Sequence, residues 1–284
     1  MSKIERYFDR LMNEYYSVLI NAWDESVKSA AREAIKELVK LDDDQRADEK
    51  FLKDLEYNIK QRLSVDFANK LDSKVKVFAE ISYKIAAQED QFKNVKISFG
   101  PADSKNIDLI KQQQVFWLKE HYGGSTSEKL QAILQTSIGE NWNTIKLAEK
   151  LKGNFGEMVK QSDVYFQGLA EHTGLRVREF GRLNNYKRLG VTHYKIIAVI
   201  DERTSEICRY LNGKIFPVTP ALQKMDAMFE VHDDETVNET KDRLKRLAPF
   251  VKDKDIPALS SGEMELESLF PPFHWRCRSR TVMV

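Results

Sequence analysis

From Ile4 to about Leu41 apolar residues recur at three- and four-residue steps, at Ile4, Tyr7, Phe8, Leu11, Tyr15, Val18, Leu19 and Ala22. That period predicts an amphipathic helix. The run SVKSAAREAIKELVKL extends it with strong helix formers, and the polar DDDQRAD ends it. A second helix is predicted from about Lys50 to Lys70, and a less regular third over Lys74 to Ala87. VKISFGPADSKN then interrupts with a strand-like segment and a turn, after which DLIKQQQVFWLKEHYGG resumes a helical pattern. Ser125 followed by Glu128 has the spacing of a capping box, opening the helix SEKLQAILQTSI. GENWNTIKLAEKLKGNF follows, and then a long helix from about Glu157 to Lys187. Phe166, Ala170, Thr173, Val177 and Phe180 form one seam of that helix. Gly168, Gly174 and Gly181 lie off the seam, where they predict either close helix packing or local weakness.

The pattern changes near Val191. THYKIIAVID is rich in β-branched residues and reads as a strand, with GKIFPV and SRTVMV as two shorter ones. A polar stretch from about Thr219 to Gly262 separates them and contains the helical DETVNETKDRLKRLAPFV. The predicted class is α+β: a helical N-terminal region followed by a small C-terminal α+β module with a short sheet. Its divisions are residues 1–100 as a helical region and partner-binding arm, 101–190 as a helical lead-in, and 191–284 as the module.

Composition narrows the function classes. The 45 basic and 44 acidic residues give a net charge of +1, so nucleic-acid contact would need a local patch. No run approaches the roughly 18 apolar residues of a membrane span, and MSKIERYFDRLMNEYY has no apolar core of a signal peptide. Two cysteines argue against a secreted disulfide scaffold and for a reducing compartment.

The chemistry gathers around DERTSEICRYLNGKIF and the terminal PPFHWRCRSRTVMV. Asp201, at the end of the first strand, is suited to accept backbone N–H groups and start a turn, with Arg203 spaced to pair with it. Asn212-Gly213 signals a tight turn in a strand–turn–strand corner. His274 and Cys277 have the H-x-x-C spacing of two metal ligands, and Cys208 is a third donor, each cysteine at a strand edge. His232 and Asp201 are the remaining candidates for a fourth. The alternative is two buried thiols beside a packed histidine. Strand alternation would put Arg276, Arg278 and Arg280 on one face, either a clamp for phosphate or an acidic partner, or the solvated face of an edge strand. Arg182 and Arg188 belong to a second basic stretch, Arg176 to Lys195, in which Glu179 is the lone acid. Ser125 to Ser127 and Glu263 to Glu265 superficially match the Ser-Thr-Ser and Glu-x-Glu elements of ADP-ribosyltransferases. The serines precede a helix rather than open a strand, so they read as a cap.

Together these residues resemble the phage Mu F-like head morphogenesis family, the minor head proteins of tailed phages. Asp201, Arg203, Thr204, Cys208, Gly213, Pro272, His274, Cys277 and Arg278 fall where the family's two-part motif would put them. The resemblance spans roughly residues 110 to 284. Ser205 and Ser279 stand where many members have cysteines, so one sulfur is missing from each half of the motif. The resemblance implies a structural, non-enzymatic protein of the virion. It would lie in the capsid interior near the portal after assembly in the host cytoplasm. Expected partners are the portal protein, the major capsid or scaffolding protein and, without sequence preference, DNA. The two missing sulfurs count against the four-cysteine metal site of the family, so no cofactor is expected, with zinc at Cys208, His274 and Cys277 as the alternative.

Overall fold

The computed structural model describes residues 3–40, 49–89, 100–108 apart from 102, 144–229 and 270–284. It also describes isolated positions at 92, 129, 132, 133, 136, 140, 239, 242, 256 and 257. In chain order the elements are α1 (Lys3–Val39), α2 (Glu49–Ala86), α3 (Thr144–Leu189) and β1 (His193–Ile197). They continue with α4 (Glu206–Leu211), β2 (Ile215–Pro217), α5 (Val218–Phe229) and β3 (Arg280–Met283). The α+β class therefore holds: helices come first, and a small antiparallel sheet ordered β2-β1-β3 closes the chain. The two helices expected over 50–87 are one, and the long helix expected from about Glu157 begins earlier, at Thr144. The strand-like segment after Val95 and the proposed capping box at Ser125 lie outside the described residues.

Two compact units interleave along the sequence. One comprises 14–75 and 112–167; the other comprises 1–13, 76–111 and 168–284. Neither is a single stretch of chain. A helix rises about 1.5 Å per residue, so elements of this length run through both units. In the first unit Trp23 meets Phe67 edge-on with centroids 5.3 Å apart, and Phe166 packs on both rings.

The second unit carries the sheet. The end of α3 is set by Gly190 at φ +67°, where Gly190 N–H donates to Lys187 O and Val191 N–H to Tyr186 O. This is a Schellman closure, which an L side chain at that φ would strain. β1 then alternates in burial, with Tyr194 and Ile196 inward. The buried Tyr194 ring stacks on Tyr186 of α3 and on Phe216 of β2. The α3 glycines behave as close-packing positions: a Cβ on Gly168 would overlap the Trp275 indole, one on Gly174 the Met12 sulfur, and one on Gly181 the Tyr83 carbonyl oxygen.

α5 was not foreseen, because residues from Thr219 onward read as a polar stretch. Its buried positions Val218, Ala221, Met225 and Met228 nonetheless follow a helical period. Pro220 falls in the first turn, where a missing N–H costs no helical bond.

Candidate metal centre

Each half of the motif is first folded locally. Beyond β1, Thr204 Oγ donates to Val199 O at 2.7 Å and accepts the Asp201 N–H at 2.7 Å. Arg203 N–H donates to Asp201 Oδ1 at 2.9 Å, closing the turn predicted at Asp201. The corner is not strand–turn–strand: α4 is inserted, so Cys208 lies on a short helix rather than at a strand edge. Asn212-Gly213 returns the chain to β2, with Gly213 at φ +81° and its N–H on Ile196 O at 2.8 Å. In the other half, Pro272 and Phe273 are buried, and Cys277 N–H donates to His274 O at 3.3 Å. Cys277 therefore sits in a turn before β3, not on a strand.

An ion pair joins the halves. The Arg278 guanidinium holds the Asp201 carboxylate through two bonds of 2.6 and 2.5 Å, across 77 residues of sequence. Arg278, rather than the adjacent Arg203, is thus the guanidinium on Asp201. The Asp201 carboxyl is held well below the usual carboxylate range, chiefly by Arg278.

Behind this clamp the three predicted donors meet. Cys208 Sγ lies 3.1 Å from His274 Nε2 and 3.7 Å from Cys277 Sγ, and the three ligand atoms all lie within 4.8 Å of one another. Two thiolates on a tetrahedral ion with bonds of about 2.3 Å stand about 3.8 Å apart. The group can therefore hold a metal without large rearrangement. Ser205 and Ser279 face the same point. Ser205 Oγ is 2.9 Å from His274 Nε2, and the Ser279 hydroxyl donates to Cys208 Sγ at 3.2 Å. Ser205 occupies the N-cap position of α4 yet makes no cap bond, its hydroxyl being turned to the histidine.

His274 is oriented from behind. Its Nδ1 is 2.8 Å from Trp275 O, and a carbonyl only accepts, so Nδ1 carries a proton. Nε2 is left facing the sulfurs, an arrangement that fixes ligand histidines in metal sites. The Cys208 thiol is drawn down to about 4, first by the Cys277 S–H and then, against burial, by His274, Ser205 and Ser279. Cys277 moves the opposite way, pushed up by the same bond and by burial.

The sequence shows Arg176 on α3 only as part of a basic stretch and carries no local sign of its relation to this site. Burial lowers its guanidinium to about 10, while Cys277 acts in the opposite direction. Asp201 is engaged by Arg278 and is no fourth ligand. His232 lies outside the described residues, as do Ser125–Ser127 and Glu263–Glu265.

The arginine row does not form. β3 begins only at Arg280, and Arg276 has φ +59°, which breaks the alternation. Each arginine reaches a different acid: Arg276 to Glu171 at 3.6 Å, Arg278 to Asp201, and Arg280 to Glu5 at 3.6 Å. Arg182 is 1% exposed, between Glu89 and Glu179, so it is not placed to touch DNA. Arg188 is exposed and pairs with Asp103. Among the described residues no helix is long and apolar enough to cross a membrane. Comparison with known protein families, with curated proteins and with solved structures finds no match to this chain.

Proposed function

We propose that this chain is a structural minor head protein of a tailed phage, and that zinc bound by Cys208, His274 and Cys277 closes its C-terminal module. It acts without catalysis, toward the capsid interior, and associates with the portal and with the major capsid or scaffolding protein during assembly in the host cytoplasm. The observation carrying this reading is the meeting of the two motif halves. Asp201 and Cys208 come together with His274, Cys277 and Arg278 at one place, with Ser205 and Ser279 beside them. A motif whose parts converge on a donor cluster is the behaviour expected of a module closed by a metal. Zinc suits two sulfurs and an imidazole, and it would supply cross-linking there rather than chemistry. Three protein ligands leave one position for water or a hydroxyl. Sequence-independent DNA contact has less support, because the arginines that would carry it engage carboxylates of the chain itself.

Two measurements test the reading. Elemental analysis of the purified full-length protein should find about one zinc per chain, lost in Cys277→Ser; a metal-free native protein overturns the zinc assignment. Co-expression with the portal protein of the same phage should retain the portal on the tagged full-length chain through purification, and a portal that fails to co-purify overturns the head-protein role. The full chain is required, since a deletion of residues 1–90 would remove Phe8, Phe78, Tyr83 and Glu89 from the core of the second unit.

A further inference from the structure

The two sulfurs at the centre of the module are both free thiols, and they are the chain's full complement of cysteine. Their separation of 3.7 Å is van der Waals contact, with no atom between them. A disulfide needs about 2.05 Å, so the sulfurs must close by about 1.7 Å. Rotation of a single Cα–Cβ bond moves a sulfur further than that. Both backbones are fixed near this geometry: Cys208 on α4, whose last turn is closed by Asn212 N–H on Cys208 O, and Cys277 in the turn bonded to His274 O. The Arg278–Asp201 pair holds the two segments together from outside. Nothing in this arrangement requires an ion to keep the sulfurs adjacent.

We propose that Cys208 and Cys277 close into an intramolecular disulfide when the site holds no metal, so that the module has two alternative cross-links. This rests on the zinc reading for the competition between the states, while the disulfide itself rests on the geometry alone. A hydroperoxide is the oxidant. The Cys208 sulfur, the more accessible of the two, attacks one peroxide oxygen. The O–O bond breaks, and the leaving oxygen departs as water or an alcohol with the thiol proton. Cys277 then attacks the resulting Cys208 sulfenic acid. The S–S bond forms, the S–O bond breaks, and hydroxide leaves as water with the Cys277 proton. Two thiols lose two electrons in all, and one peroxide is reduced.

A disulfide and a metal site draw on the same sulfur lone pairs, so each state excludes the other. Reduced chain in a cytoplasm would favour the metal form. Chain that loses its ion outside a reducing compartment would retain a cross-link at the same two positions.

The test uses the full-length protein in two forms, stripped with a chelator and reloaded with zinc, each treated with hydrogen peroxide and read by intact mass and thiol titration. The stripped form should lose the mass of two hydrogens and both titratable thiols, reversibly with dithiothreitol, and remain monomeric on a non-reducing gel. The reloaded form should react at least tenfold more slowly. In stripped Cys277→Ala the oxidation should stop at Cys208 sulfenic acid, trapped by dimedone; circular dichroism checks that this variant is folded. Retention of two free thiols in the folded stripped protein, or cross-linking only between chains, overturns the proposal. Failure to bind zinc together with ready disulfide formation overturns the zinc reading and leaves the disulfide standing.

Discussion

Gly181 and Gly153 lie on the same helix and ask opposite things of a methyl group. A Cβ on Gly181 would come 2.8 Å from the Tyr83 carbonyl oxygen, a backbone atom that cannot rotate away. At Gly153 nothing lies within 4 Å. Gly181→Ala should therefore cost about 1–3 kcal/mol through overpacking, and Gly153→Ala should gain about 0.5–1 kcal/mol from helix propensity; urea midpoints of the two variants decide it. The close packing at Gly181 was foreseeable from its position beside a helical seam. The partner of Asp201 was not. Local spacing offers Arg203, and only the folded chain brings Arg278 across 77 residues to take that place. Because this pair is exposed and solvent-screened, Asp201→Asn should leave stability almost unchanged. It should still weaken zinc affinity about tenfold by loosening the two ligand segments, which competition with a chromophoric chelator would read.

At the scale of elements, the sheet is tied to the helices by buried charge. Glu89, just beyond α2, accepts from Arg178 Nε at 2.6 Å and from Arg182 at 2.7 and 2.6 Å. Arg182 continues to Glu179, whose carboxylate accepts the Thr281 hydroxyl at 2.7 Å and so holds β3 at the sheet edge. Burial alone would raise the Glu89 carboxyl, but Arg182 and Arg178 outweigh it and bring it to about 2. Its folded value thus lies below the ordinary 4.5. The contribution is full above that value and fades as pH falls toward about 2, a loss on the order of 3 kcal/mol. Glu179 has the opposite sign, raised first by burial, so its protonation favours the fold as pH falls. Glu89→Gln should flatten the acid limb of the stability curve and cost about 3–5 kcal/mol at neutral pH by leaving two buried guanidiniums short of a carboxylate; chemical denaturation at several pH values measures both. The basic residues of this stretch were legible in sequence as charge, but their burial was not. Arg182 shares a helix turn with Glu179, and nothing local announces that Glu89 will meet both arginines. α5 was missed for a different reason: its period starts immediately after the strand signal IFPV, and Pro220 reads as a breaker until it is known to fall in the first turn.

For the whole molecule, the α+β class was legible because long periodic helices and β-branched strands are encoded locally. The interleaving of the two units was not, since it arises from helices long enough to serve both. The donor set was legible as residue types; its convergence depended on α4 and on the turn at Cys277, neither visible as a strand edge. Chelation should accelerate amide exchange in β1 and β3 while leaving α1 near Trp23 unchanged, and hydrogen exchange by mass spectrometry can follow both segments in one sample. A cross-link through the two sulfurs, by an ion or by a disulfide, would join positions 69 residues apart. Closing a ring of that size removes conformations from the unfolded chain, about 4 kcal/mol in the simplest chain-entropy account. Most of that advantage exists before any native contact is counted, and it depends only weakly on how long the enclosed segment is. That part of the stability would therefore change little if the number of residues between Cys208 and Cys277 changed, provided the two sulfurs still meet.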